Sequence, residues 1–438
     1  MNPRHPAASA SCLVFLLSIA LFAAVSADEP PGPTSPPPRQ TSGDSVVEPD
    51  WNERLTVSVG TKDGDIVGTD HRAIQAAIDH VARLGGGTVH ILAGTYRLRH
   101  AVALQSRVHL RGAGADTVLI KEPSVASPLS ADSDWYDQEI TLENPEGFRL
   151  GDGVCLRAKN PANGAAVVLK RTLVARTGPR FKLDRPLREN LWVMHGATAA
   201  TLFPILSGDH IEDVRIEHLT LDGNRAHNDE LDGNYAGCIF LQDCNRIAIR
   251  GVTARDYHGD GISWQVCHDV VVEDCVSENH TGLGLHPGSG SQRPVIRNNM
   301  LRGNGIGLFF CWGVKHGVAE NNRMLGNRIG ISIGHRDTDN LIAQNHIEGS
   351  SQTALLFRAE PGPAFAGHRN RIHQNTFVDN GPEGAPVIDI QGPTKDISIR
   401  DNTFSDARSG TPRPAVKKGP ETADIVVEDN SFSGSVTR

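Results

Sequence analysis

Aromatic residues make up only 5% of this chain, and the formal charge is −8 rather than positive. The first shortage argues against a large core built on stacked rings. The second gives no reason to expect nucleic acid as a partner. Seven cysteines are spread over 438 residues, without the paired CxxC spacing of a zinc site or the density of a disulfide framework. After Cys12 the remaining six, Cys155, Cys238, Cys244, Cys267, Cys275 and Cys311, read as small apolar core residues. Long apolar runs are missing too, apart from CLVFLLSIALFAAV at residues 12–25. That run is short for a bilayer span, follows Arg4 and His5, and ends near Val25-Ser26-Ala27. It reads as a secretory signal peptide over 1–27, so the expected location is exported, free of the membrane after cleavage. The proline-rich stretch 28–50 reads as a linker.

What the chain has in quantity is glycine, 45 residues. Part of it is periodic. Gly261, Gly284, Gly307 and Gly330 stand 23 residues apart, and each opens a short strand: GISWQ, GLHPG, GLFFC, GISIG. A second ladder, Asn299, Asn322, Asn345, Asn375, Asn402 and Asn430, follows short apolar strands, with Cys275 in the same place one turn earlier. Repeats of this length signal a solenoid whose units bury their apolar faces only by stacking. Asn at a repeated bend can take the left-handed conformation and hydrogen-bond along the stack, so this ladder is assigned to structure. No helical pattern occurs within the repeat.

These features predict an all-β right-handed parallel β-helix. The segment DGDIVGTDHRAIQAAIDHVARLGGGTVHILAGTY, residues 63–96, resembles the entry of the pectate-lyase-like superfamily. In that family a helix caps the open end of the solenoid, and Gly-Gly-Gly-Thr-Val starts the first strand. The residues support the helix independently: Asp70 is a fair N-cap, Ile74, Ala77, Ile78 and Val81 share one face, and Gly85–Gly87 stop it. LRGAG at 110–114 resembles the first complete coil. The resemblance covers about residues 55–120 and 207–438. Residues 121–206 break the rhythm and read as an inserted antiparallel β subdomain, one wall of a cleft. The expected organisation is therefore 51–120 as capping helix and first coils, 121–206 as the insertion, and 207–438 as repeats. The family hosts lyases, hydrolases, epimerases and inactive adhesins, so it implies fold more than chemistry.

Counting from each ladder glycine aligns the coils. Two positions on, Ser263, His286, Phe309, Ser332 and Leu356 point outward; Gln265, Gly288, Cys311, Gly334 and Arg358 follow two later. Past the strand ends come Trp312 and His335, then Arg336 and Glu360. WGVKHG adds Lys315 and His316 in the adjoining turn, and Asp337 completes the His335-Arg336-Asp337 triplet. Imidazoles and cations at matched rungs suit proton transfer beside an acidic sugar chain. The expected catalytic set is His335, Arg336, His286, Lys315, Glu360 and Asp260. Trp312, His316, Arg358 and Asp337 are expected to bind substrate. The plainer alternative makes the triplet a solvated turn and Arg336–Glu360 a cross-rung ion pair. Asp260 lies in an otherwise apolar column, either bound to turn amides or functional. LDGNRAHNDELDGN at 221–234 could hold calcium, but without EF-hand spacing it reads as a solvated loop, and no other cofactor is expected.

Three functions remain open. A lyase or C5-epimerase on a uronate polysaccharide needs a cation for the carboxylate and a base for the neighbouring proton. GLHPGS faintly resembles the Asp-Pro-His signature of alginate epimerases, with His286 in place of its Asp and Gly288 in place of its His. A glycoside hydrolase needs two carboxyl groups, for which Asp260, Asp337 and Glu360 are available. GDGIS and GISIG resemble polygalacturonase motifs, but the paired aspartates expected one coil later are missing. The third function is a non-catalytic glycan-binding scaffold. The oligomeric state is not legible.

Overall fold

The computed structural model describes residues 53–438 apart from Pro161 and Ser409. The expected signal peptide and linker lie outside the described residues. The chain winds repeatedly through three long parallel sheets of 13, 11 and 10 strands, here sheets I, II and III. One coil runs through Glu212–Glu217 in sheet I, Thr220–Asp222 in sheet II and Ile239–Gln242 in sheet III. A single 13-residue helix, His71–Arg83, covers the entry end. The Asp70 carboxylate accepts from the Arg72 amide, and Ala73, Ile74, Ala77, Ile78 and Val81 are buried beneath it. Among the described residues no helix is long and apolar enough to cross a membrane.

The interior is aliphatic, as strands buried between parallel neighbours require. Ile239, Ile262, Leu285, Leu308, Ile331, Leu355 and Ile388 form one lumenal column with no measurable exposure. The backbone pairs Ile262 with Leu285, Leu285 with Leu308 and Leu308 with Ile331. This is the register that the glycine ladder predicts. The reason for the glycines is close approach: a Cβ on Gly307 would stand 2.7 Å from the Gly330 carbonyl oxygen.

The asparagine ladder runs along the corner between sheets I and II. Asn322 Oδ1 accepts from both the backbone N–H and the side-chain amide of Asn299, and Asn322 Nδ2 donates to Ile296 and Asn345. The sequence expectation needs one correction. The left-handed residue is the one before each ladder position, Asn298, Asn321, Gln344 and Gln374, because the ladder Asn itself must aim its amide along the stack. Two shorter ladders hold the other corners, through Asn304 and Asn327, and through Asn340 and Asn370.

Six antiparallel strands between Ala126 and Ala200 interrupt the winding between sheets II and III. A bridge between Leu129 and Leu142 joins the two edge strands, so the insertion closes into a small barrel. It has its own core, including Leu142, Leu156, Leu173, Phe181 and Leu183. The six described cysteines are all free thiols, five of them buried.

Asn322→Ala should remove four buried hydrogen bonds and leave the Asn299 backbone N–H without its acceptor, at about 1–3 kcal/mol for an unpaired group. The expected result is a lower melting temperature with the fold retained, read by thermal unfolding monitored by circular dichroism. An unchanged midpoint would contradict the structural role.

Candidate active site

The outer faces of the three sheets differ in chemistry. Sheet I carries Glu217, Arg250, Glu273, Arg297 and Glu320 on successive rungs, and sheet II carries Asp222, Arg255, Glu278 and Arg302. Opposite charges alternate there and pair with each other: Arg297 Nε lies 2.7 Å from Glu273 and Arg255 2.9 Å from Asp222. Sheet III instead presents Phe240, Ser263, His286, Phe309 and Ser332 in one column. The column continues through Leu356 to Asp389 and Lys417, whereas the charged groups around His286 and Phe309 arrive from loops and strand ends.

Arg358 is the centre of the cluster. Its guanidinium lies over the Phe309 ring at 4.4 Å. It donates to Ser332 Oγ at 2.9 Å, to the Phe310 carbonyl at 3.0 Å and to Asp337 Oδ2 at 3.2 Å. Asp337 is fully buried. Its Oδ1 accepts from the amides of Gly313 and Val314 and its Oδ2 from that of Gly334. Burial pushes this carboxyl up to about 6, against the pull of Arg358 and the three amides. Asp337 therefore cannot touch a polymer, as the sequence expectation had it; it orients Arg358.

A carboxylate-tied imidazole stands on each side. Upstream, His286 Nδ1 lies 2.8 Å from Asp260 Oδ2, while Asp260 Oδ1 accepts from the Leu283 amide. The two readings of Asp260 thus merge: it binds a turn amide and orients a histidine. His286 meets Phe309 edge-on, and its Nε2 is buried without a hydrogen-bond partner among the described residues. Ser263 and Gln265 close the pair in, and Ser263 Oγ donates to the Gly233 carbonyl of the loop above. Downstream, His335 Nδ1 lies 3.3 Å from Glu360 Oε2, and Glu360 Oε1 accepts from the His335 amide. Trp312 stacks on the His335 ring at 4.2 Å and is itself 60% exposed. A Cβ on Gly334 would stand 2.5 Å from Glu360 Oε1, so glycine is what lets this carboxylate reach the strand end.

Three expected site residues are placed elsewhere. The Arg336 guanidinium lies over Phe365, and its Nε donates to the Ala364 carbonyl, so it anchors the 359–367 loop. His316 has turned the corner to sheet I, where it lines a hollow of about 530 Å³ with Asp339, Arg369 and Asp396. Lys315 precedes it on a bridge between Gln292 and Thr338. In LDGNRAHNDELDGN, Asp222 pairs with Arg255 and Asp232 caps Asn234. Sequence reasoning overlooked Phe365 and the polar roles of Ser263 and Ser332. The signal for Phe365 was present: the ladder step from Asn345 to Asn375 is 30 residues instead of 23, and the surplus is the 359–367 loop. Cys311 offers no thiolate nucleophile, since burial pushes its thiol up to about 12.

Residues 237–404 match a family model described as right handed beta helix region. The chain is a right-handed parallel β-helix. A stretch of 85 residues is 38% identical to the mannuronan C5-epimerase AlgE2 of Azotobacter vinelandii, covering 18% of this chain and 8% of that protein. A stretch of 65 residues is 43% identical to AlgE1 of the same organism, covering 13% and 5%. The β-helix chain thus spans less than a tenth of the length of these curated relatives. Among solved structures, the A-module of the Azotobacter vinelandii mannuronan C-5 epimerase AlgE4 superposes with a TM-score of 0.46 at 17% identity, over 86% of this chain and 99% of the module. An exopolygalacturonase of Thermotoga maritima gives 0.48 at 13%, over 89% and 94%. No residue role is carried over from either.

The buried carboxyl makes a pH prediction. Its folded-state value, about 6, lies above its value of 3.8 as a free side chain. The folded form therefore keeps the proton longer, and this contribution to stability is full below about pH 4 and lost as pH rises through about 6. The stability difference between the natural protein and Asp337→Asn should fall over that window, measured by urea unfolding at several pH values. A difference independent of pH would contradict the assignment.

Proposed function

We propose that this β-helix is an exported enzyme that removes the C5 proton of a uronate residue in an acidic polysaccharide, acting as a lyase. The observation that carries the reading is a restrained guanidinium, Arg358, on an outward sheet face with a carboxylate-tied imidazole to either side. Arg358 would neutralise the sugar carboxylate and so acidify the neighbouring C–H. With Glu360 at Nδ1, the other ring nitrogen of His335, Nε2, is the one placed to take the proton. Loss of the C4 oxygen, protonated as it leaves, then forms the C4–C5 double bond. Trp312 offers an exposed ring on which a sugar face can lie.

Epimerisation is the second reading. It shares proton removal but returns a proton to the other face of C5. The local likeness to mannuronan C5-epimerases favours it, as does the second imidazole, His286, whose Nε2 awaits a partner. A hydrolase is less well served. Asp260 and Asp337 are buried and engaged, and Glu360 is committed to the His335 amide, which leaves no pair of carboxyl groups facing a bond.

The test is turnover on a panel of acidic and neutral polysaccharides, reading unsaturated ends, new reducing ends and deuterium uptake at C5 in heavy water. Unsaturated ends on an acidic polymer support the lyase, and deuterium uptake without cleavage supports the epimerase. His335→Ala should lower turnover by about 10²–10⁴ with little change in melting temperature, since a positioned base contributes about that much. Wild-type rates in that variant would remove the site from this face.

A further inference from the structure

The column that holds Phe309 also holds Phe240, three rungs toward the entry end. Rungs are spaced about 4.8 Å apart, so the two rings are roughly 14 Å apart along the stack. Each lies under a cation. Arg358 covers Phe309 at 4.4 Å, and Lys170 covers Phe240 at 4.1 Å. Each cation is also tethered to a backbone carbonyl: Arg358 to Phe310, and Lys170 Nζ to Tyr235 at 2.6 Å. Lys170 does not belong to the solenoid. It comes from the inserted barrel, on the strand Ala166–Thr177.

The barrel and the first rungs of sheet III enclose a cleft of about 410 Å³, lined by Lys170, Arg171, Arg185, Phe240, Asp184 and Asp209 among others. The two carboxylates are already engaged. Asp184 accepts from the Thr172 amide, and Asp209 lies 2.7 Å from His210. On the cationic side, the Arg171 guanidinium is tied to the Lys170, Pro186 and Leu187 carbonyls, whereas the Lys170 ammonium lies over Phe240 at the cleft. With Lys170, Arg171 and Arg185 against Asp184 and Asp209, the cleft lining carries an excess of positive charge.

We propose that Lys170 forms a second carboxylate subsite, in which the barrel reads an acidic sugar of the same chain a few units from the one held at Arg358. This deepens the reading of sheet III as a uronate-processing face and rests on it. The polymer would then run along the helix axis, from the barrel cleft past the loop whose Gly233 carbonyl covers Ser263, to Arg358. Burial holds the Lys170 ammonium down to about 8, so an arriving carboxylate would also stabilise its charged form. The repeated cation-over-Phe arrangement has a physical use: the ring holds the cation without adding a negative charge of its own, although Arg358 also meets Asp337 and Glu360.

The experiment separates this inference from the reading beneath it. Oligouronates of increasing length are titrated calorimetrically into His335→Ala, and into the same protein carrying Lys170→Met or Lys170→Arg. The expected result is affinity that rises once the chain is long enough to reach the barrel. With Lys170→Met that rise should be lost, by about tenfold for the longest chains, and Lys170→Arg should restore most of it. Melting temperatures check that each variant is folded. Should Lys170→Met fail to fold, Lys170→Gln replaces it under the same expectation. Identical length profiles with and without the Lys170 charge overturn the subsite. Turnover by the unaltered protein is scored separately: absence of turnover on every uronate polymer defeats the catalytic reading, whereas a lost length dependence in binding still locates a second anion site.

Discussion

The repeated hydrogen bond from one coil to the next is the constraint on which everything else rests. At the corner between sheets I and II it takes an exacting form, since one buried side-chain amide must satisfy both a backbone N–H and a carbonyl of the preceding coil. Unpaired, these groups would each cost free energy in a dry interior, which is why Asn recurs at this corner from Asn299 onward. Once each coil is tied to its neighbours, the register of every strand follows, and a one-residue slip would turn the lumenal aliphatic column outward. The outer columns inherit that precision. A group on one coil is held about 4.8 Å from its equivalent on the next, which is how residues far apart in the chain can form a site on rigid strands.

On sheets I and II opposite charges of neighbouring rungs pair with each other, as Glu273 does with Arg297 and Asp222 with Arg255. Sheet III differs. Its column is aromatic and hydroxylic, and its one restrained guanidinium is supplied from the far end of a strand and held by a buried carboxylate, a hydroxyl and a carbonyl. A cation held in this way loses little entropy on binding and needs no rearrangement to meet a carboxylate. The inserted barrel adds a wall at the entry end of the same face.

The two histidines show how differently one residue type can be used on one sheet. His286 is enclosed, with its carboxylate behind it and a phenyl ring beside it. His335 sits at the strand edge between two aromatic rings, in contact with solvent through Trp312. Both are oriented by a carboxylate, which fixes the tautomer and leaves the outer nitrogen for chemistry.

Much of the architecture was legible because it repeats. The 23-residue glycine spacing predicted the pairing of Ile262, Leu285, Leu308 and Ile331, and the entry segment announced its capping helix through Asp70 and one apolar face. Periodicity constrains equivalent positions, so it also placed His286, Phe309 and Ser332 in one column. It says nothing about where the irregular segments go. The seven surplus residues before Asn375 bring Glu360 and Phe365 against His335, and they draw Arg336 away from the face on which it was expected. The turn that carries His316 bends around a corner that counting cannot see. The barrel's Lys170 meets Phe240 across 70 residues of intervening chain. Sequence by itself determined the solenoid, its register and the face that differs from the others, because stacking repeats one local rule. Tertiary structure alone decided which charges meet on that face, because loops and the insertion are placed by packing against the solenoid and not by its period.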